Sequence, residues 1–86
     1  MDYTLFKNYV GEYELAPDFT IAVFLEGEKL MIQPTGQSKD QIFPESETLF
    51  FLKAVDARVE FIKDESGKVT SLILHQGGRK IPAKIK

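Results

Sequence analysis

The sequence predicts an all-β fold: a small eight-stranded antiparallel up-and-down barrel, or a strongly curled meander, with a short helix at its N-terminus. Two observations carry this. Turn-forming residues recur roughly every ten residues, the spacing of a β-meander or barrel. The segments between them alternate apolar and polar, as half-buried strands do.

The front end departs from that pattern. Asp2 is placed to cap a helix over about residues 2–9, with Leu5, Phe6, Tyr9 and Val10 on one side at helical spacing. So short a helix does not stand alone in water, so it is expected to pack on the sheet and plug one barrel end. Strands fill about residues 10–86 as a single domain. Reversals are expected at Pro17-Asp18, Glu26-Gly27-Glu28, Thr35-Gly36, Pro44–Glu47, Val55–Ala57, Asp64–Gly67 and Gln76–Gly78. Phe19, Ile21, Val23 and Leu25 share one face of a strand, Leu30 and Ile32 one face of the next. Val59 and Phe61 alternate with Arg58 and Glu60, and Leu72 and Leu74 with Ser71, Ile73 and His75. Connections this short permit only antiparallel neighbours. Arg79, Lys80, Lys84 and Lys86 alternate with Ile81, Ala83 and Ile85, which predicts a solvated face on an edge strand. Eight strands enclose room for side chains or one small ligand. With so many Phe and Leu pointing inward, a filled interior is expected.

The chain has 86 residues, enough for one domain that buries about 60% of its unfolded surface. Its 11 basic and 13 acidic residues give a net charge of -2, with no clustered basic surface for nucleic acid. There is no cysteine, which excludes disulfides, thiolate metal sites and cysteine nucleophiles. No apolar run approaches the roughly 18 residues of a membrane span, and Met1-Asp2 does not open a secretory signal.

The residues of known chemistries are missing or badly spaced. His75 is the lone histidine, and no carboxylate cluster has ligand spacing, so no metal or other cofactor is expected. Ser71 and His75 could in principle contribute to a Ser-His-acid arrangement, but nothing in the sequence activates them. Ser38, Ser46, Ser66 and Ser71 all lack the Lys three residues later that S-x-x-K hydrolases use. Gly67-Lys68 lacks the rest of a phosphate loop. Glu12 with Glu14, and Glu45 with Glu47, stand at alternate positions, which on a strand face more often marks solvation than an acid–base pair. The isolated chain is therefore expected not to be an enzyme.

One positive signal remains. Leu49-Phe50-Phe51-Leu52 is apolar on both faces of its strand. Phe24, Ile62 and Ile73 fall opposite the core residues of theirs. A solvated sheet is polar there. Phe24, Phe51, Ile62 and Ile73 form a candidate docking surface, with cover by the N-terminal helix as the competing explanation.

These segments resemble a known family. Tyr9-Val10-Gly11-Glu12-Tyr13 resembles the "Y-x-G-x-Y" opening of a C-terminal domain appended to β-lactamase-related serine hydrolases of penicillin-binding-protein type. Gly27-Glu28-Lys29-Leu30 resembles its "G-x-x-L" hairpin, and Phe43-Pro44 with Thr48-Leu49-Phe50-Phe51 its "L-x-P … F" stretch. Val59-Glu60-Phe61 and Asp64-Glu65-Ser66-Gly67-Lys68-Val69 resemble its "D-x-x-G-x-V" hairpin, continued by Leu72-Ile73-Leu74-His75. The resemblance implies a lipocalin-like barrel that follows a hydrolase domain in a longer chain and supplies no catalytic Ser or Lys. It implies a role in assembly or in access to the partner domain's active site, and a periplasmic or extracytoplasmic setting for such a parent. The partner is then the parent's hydrolase domain or a second copy. The alternative is a carrier of a small hydrophobic ligand, which requires a hollow interior.

Overall fold

Each of the seven reversals falls between two strands. A computed structural model describes residues 3–53 and 55–86. It contains a 3₁₀ helix η1 (Tyr3–Tyr9) followed by β1 (Gly11–Ala16), β2 (Phe19–Glu26), β3 (Lys29–Pro34), β4 (Asp40–Pro44), β5 (Leu49–Leu52), β6 (Ala57–Lys63), β7 (Val69–Gln76) and β8 (Arg79–Ile85). Every strand pairs antiparallel with the next, and β8 returns to β1, so the sheet closes into an up-and-down barrel.

Three hairpins turn on two residues each: Ala16 faces Phe19, Glu26 faces Lys29, and Gln76 faces Arg79. In the last, Gly77 and Gly78 both hold positive φ (58° and 80°), the demand of a type I′ turn. The Asp64–Gly67 turn is tied by one carboxylate. Asp64 Oδ1 accepts from the Ser66 and Lys68 amides at 2.9 and 3.0 Å and from Ser66 Oγ at 2.6 Å. These bonds explain why an Asp opens that hairpin.

Two expectations need correction. Strand β8 is not an edge: Tyr13 faces Ile85, Glu14 faces Lys84, and the Lys86 amide donates to the Glu12 carbonyl at 2.8 Å. Closure removes edges altogether, so the basic alternation on β8 belongs to an outer wall and guards no free edge. Gly11 serves this seam, because a Cβ there would stand 3.1 Å from Ile85 Cδ1. The second correction concerns the N-terminal segment, which is a 3₁₀ helix. Three residues per turn align positions i and i+3, so Phe6 and Tyr9 both turn inward, while Val10 is 42% exposed. The Asp2 cap and the Leu5 side chain lie outside the described residues.

Strand alternation sorts the side chains. Tyr13, Ile21, Val23, Leu30, Ile32, Ile42, Phe50, Val59, Phe61, Leu72 and Ala83 fill one interior cluster, joined by Phe6 and Tyr9 from η1. The helix therefore plugs one end of the barrel, as expected.

Candidate functional site

The barrel interior has two unlike ends. At the η1 end, aromatic rings fill it. Tyr9 stacks on Phe61 with centroids 4.4 Å apart, and Phe50 meets Tyr9 and Phe61 edge-on at 5.5 and 5.4 Å. Phe6 and Tyr13 extend the cluster at 5.8 Å from Phe50 and Phe61. Its hydroxyls are anchored to backbone: Tyr13 donates to the Tyr9 carbonyl at 2.8 Å, and Tyr9 donates to the Glu47 carbonyl. Burial pushes the Tyr13 hydroxyl well above the ordinary tyrosine range, with Tyr9 adding to the shift.

The opposite end is open. A recess of about 390 Å³ occupies this mouth. Leu15, Phe19, Leu52, Leu74 and Ile81 form its wall, and Ile21 and Ile32 its floor. This modifies the expectation of a filled interior: aromatic rings fill the centre of the plugged end, although a cleft of about 510 Å³ opens beside Phe6 between the β2–β3 hairpin and β4, and packing stops short at the mouth. The side chains that reach the mouth are aliphatic or partly exposed, so none spans it. Gln37, Asp40 and Gln76 stand on its rim. Asp40 faces Ile32 across β3–β4 and sits two residues before the buried Ile42, so alternation turns it toward the interior. Sequence reasoning passed over Asp40, although that two-residue step from Ile42 was a readable signal.

The outer wall carries the four residues of the candidate docking surface, all half-buried. Phe24 on β2 faces Met31 on β3, and Phe51 on β5 faces Phe43 on β4. The Phe43 and Phe51 rings are 5.6 Å apart, and Lys53 Nζ lies 4.2 Å over Phe43. Met31 points outward yet is only 7% exposed, so the wall around it is covered by its own neighbours. Ile62 and Ile73 stand apart on β6 and β7, divided from Phe51 by the polar row Arg58, Glu60 and His75. The structure thus pairs Phe24 with Met31 on β2–β3 and Phe51 with Phe43 on β4–β5, sets Gln41 opposite Met31 between the two pairs, and leaves Ile62 and Ile73 on a separate patch. Helix η1 sends Phe6 and Tyr9 inside the barrel.

The polar residues with possible chemistry are engaged with one another or dispersed. His75 Nε2 lies 3.1 Å from Glu60 Oε1 on the outer wall. Ser71 shares that strand face four residues away, about 13 Å at the rise of a strand, so no Ser-His pair forms. Glu45 and Glu47 do not share a strand, as the alternate spacing had allowed; both lie in the β4–β5 turn. Glu45 binds Arg58 and Glu47 binds Lys63, each at 2.9 Å. The Lys63 ammonium lowers the Glu47 pKa, and hydrogen bonds from Ser66 and Lys68 lower that of Asp64. Glu12 and Glu14 are exposed on β1, with Glu14 4.0 Å from Lys86 Nζ. Among the described residues, no three His, Cys, Asp or Glu side chains gather as metal ligands, and no helix is long and apolar enough to cross a membrane.

A closed eight-stranded antiparallel barrel is the architecture the resemblance had implied. The family defined as the domain of unknown function DUF3471 matches residues 2–84. The chain belongs to that family. It is a C-terminal domain of β-lactamase- and penicillin-binding-protein-type proteins. Penicillin-binding protein 4* of Bacillus subtilis (strain 168) is similar to it, 37% identical over 78 residues. That alignment covers 91% of this chain and 17% of the relative, so the chain spans about one sixth of that protein's length. The family motifs acquire physical meaning here. Tyr9 and Tyr13 build the aromatic plug, Gly11 the closing seam, and Asp64 the tied hairpin.

Proposed function

We propose that this barrel is a non-catalytic accessory domain of a penicillin-binding-protein-type serine hydrolase, docked on the hydrolase domain of the same chain and governing its assembly or active-site access. The observation that carries this reading is the two half-buried apolar pairs on the outer wall, Phe24–Met31 and Phe43–Phe51, where a solvated barrel has polar side chains. The choice of partner is supported by the matched relative, most of whose length lies outside the alignment. Ile62 and Ile73, beyond the polar row Arg58, Glu60 and His75, form a separate secondary patch. The setting is that of the parent chain, on the extracytoplasmic side.

Interfaces between domains of one chain bury about 600–1,500 Å² and are sensitive to a charge at their centre. Phe51→Asp in a full-length hydrolase carrying this domain should leave the barrel folded, because the side chain points outward. It should also loosen the two domains, seen as a larger radius of gyration in solution scattering, and change kcat/KM. Unchanged compactness together with unchanged kinetics would remove Phe51 as an anchor.

A second reading, binding of a small hydrophobic ligand, is favoured by the open apolar mouth.

A further inference from the structure

The mouth of the barrel has a composition that specifies more than "hydrophobic". Among the described residues that line it, Asp40 is the one charged side chain, set against a wall of Leu, Ile and Phe. Its inward phase follows from the β3–β4 register, in which Ile32 pairs with Asp40 and Leu30 with Ile42. No ion pair or hydrogen bond among the described residues engages its carboxylate. The adjacent Lys39 is held instead by Glu26. A carboxylate against an apolar wall loses part of its water and gains from a cation that replaces it. The neutral amides of Gln37 and Gln76 share the rim and add acceptors beside the charge. A recess of about 390 Å³ lies at the small end of ligand pockets and holds on the order of a dozen non-hydrogen atoms at about 30 Å³ each.

We propose that the open mouth binds a small cationic amphiphile, an alkyl or aryl group of about that size carrying an ammonium, with the apolar end between Leu15, Ile21, Leu74 and Ile81 and the cation on Asp40. The apolar wall supplies affinity without direction, and the single carboxylate fixes which way round the ligand enters. Helix η1 and the aromatic plug occupy the other end, so the mouth is the direct route to this recess. This inference deepens the second reading above and does not depend on the outer docking face.

The test is methyl NMR of the 86-residue chain titrated with octylammonium, octanol and octanoate, all below micelle-forming concentrations. Octylammonium should shift the Leu15, Ile21, Leu74 and Ile81 methyls, with a Kd on the order of 0.1–1 mM for so few atoms. It should bind about fivefold or more tighter than octanoate. Asp40→Asn should abolish that preference while leaving the apolar contacts, and it removes charge from a rim position without threatening the core. Ala16→Phe, which fills the recess from the β1–β2 turn, should abolish binding of all three. Equal binding of the three head groups would overturn the cationic assignment and leave a plain hydrophobic site. Absence of any shift at the mouth would overturn both the assignment and the ligand-binding reading. Tighter binding of a capped lysine amide than of octylammonium would overturn the small-molecule class in favour of a peptide.

Discussion

The plugged end and the open mouth are built from the same eight strands and opposite choices of side chain. At one end Phe6, Tyr9, Tyr13, Phe50 and Phe61 pack ring on ring with their hydroxyls tied to backbone. At the other, Leu15, Phe19, Leu52 and Leu74 are half-buried around a recess. A small barrel cannot fill both ends with large rings and keep a recess. The two ends therefore divide labour: the aromatic end holds the fold, and the mouth keeps an open apolar recess. That division predicts unequal costs for truncation. Phe61→Ala removes a fully buried ring that touches three aromatic neighbours and should cost about 3–5 kcal/mol. That is a large share of the ~5–15 kcal/mol available to a domain. Leu74→Ala at the half-buried mouth should cost only about 1–2 kcal/mol, because solvent already reaches the site. Urea denaturation of both variants measures the difference. Equal losses would mean that the mouth is as much a part of the core as the plug.

The hydroxyls sharpen the same contrast on a smaller scale. Tyr13 is 0% exposed, and its hydroxyl donates to the Tyr9 carbonyl. Tyr13→Phe leaves that carbonyl without its donor where water has no access, a cost of about 1–3 kcal/mol. Tyr9→Phe removes a donor from the Glu47 carbonyl in an exposed turn, which water can replace, and should cost about 0.5–1 kcal/mol. The reverse ranking would place the polar anchor of the plug at the β4–β5 turn.

Much of this was legible in the residues because it is local. Turn chemistry placed every reversal, and period-two alternation sorted Val59 and Phe61 inward and Ile73 outward. What escaped is what depends on distant segments. Closure requires β8 to reach β1, and the seam is visible only when Gly11 is seen to make room for Ile85. Helix type turned on whether Val10 would join Phe6 and Tyr9 in the interior, which the barrel decides. In the candidate site, Phe24 and Phe51 were readable from alternation, but their separation from Ile62 and Ile73 follows from strand order around the closed wall. The recess itself comes from what the opposite strands fail to fill. Asp40 was readable in phase with Ile42, and only the recess gives that phase significance.

The smallest expected effect belongs to neither end of the interior. The Asp64 carboxylate ties the β6–β7 hairpin by accepting from Ser66 and Lys68, and those bonds hold its pKa below the ordinary aspartate value near ~3.9. A depressed carboxylate contributes its stability above the unfolded-state pKa and loses it as pH falls through the folded-state value, because the unfolded chain takes up the proton first. The contribution should therefore be complete above about pH 5 and decline from about pH 4 downward. Asp64→Asn should lower Tm at neutral pH, and the difference should shrink as pH falls below the ordinary aspartate range and the wild-type carboxyl takes up its proton. Glu47, held down by Lys63, declines over the same range, so the variant retains part of the acid limb. Thermal melts of the two proteins from pH 7 to pH 2 test this. A Tm difference that persists undiminished at pH 2 would show that the hairpin is held by shape alone and that the carboxylate charge contributes nothing.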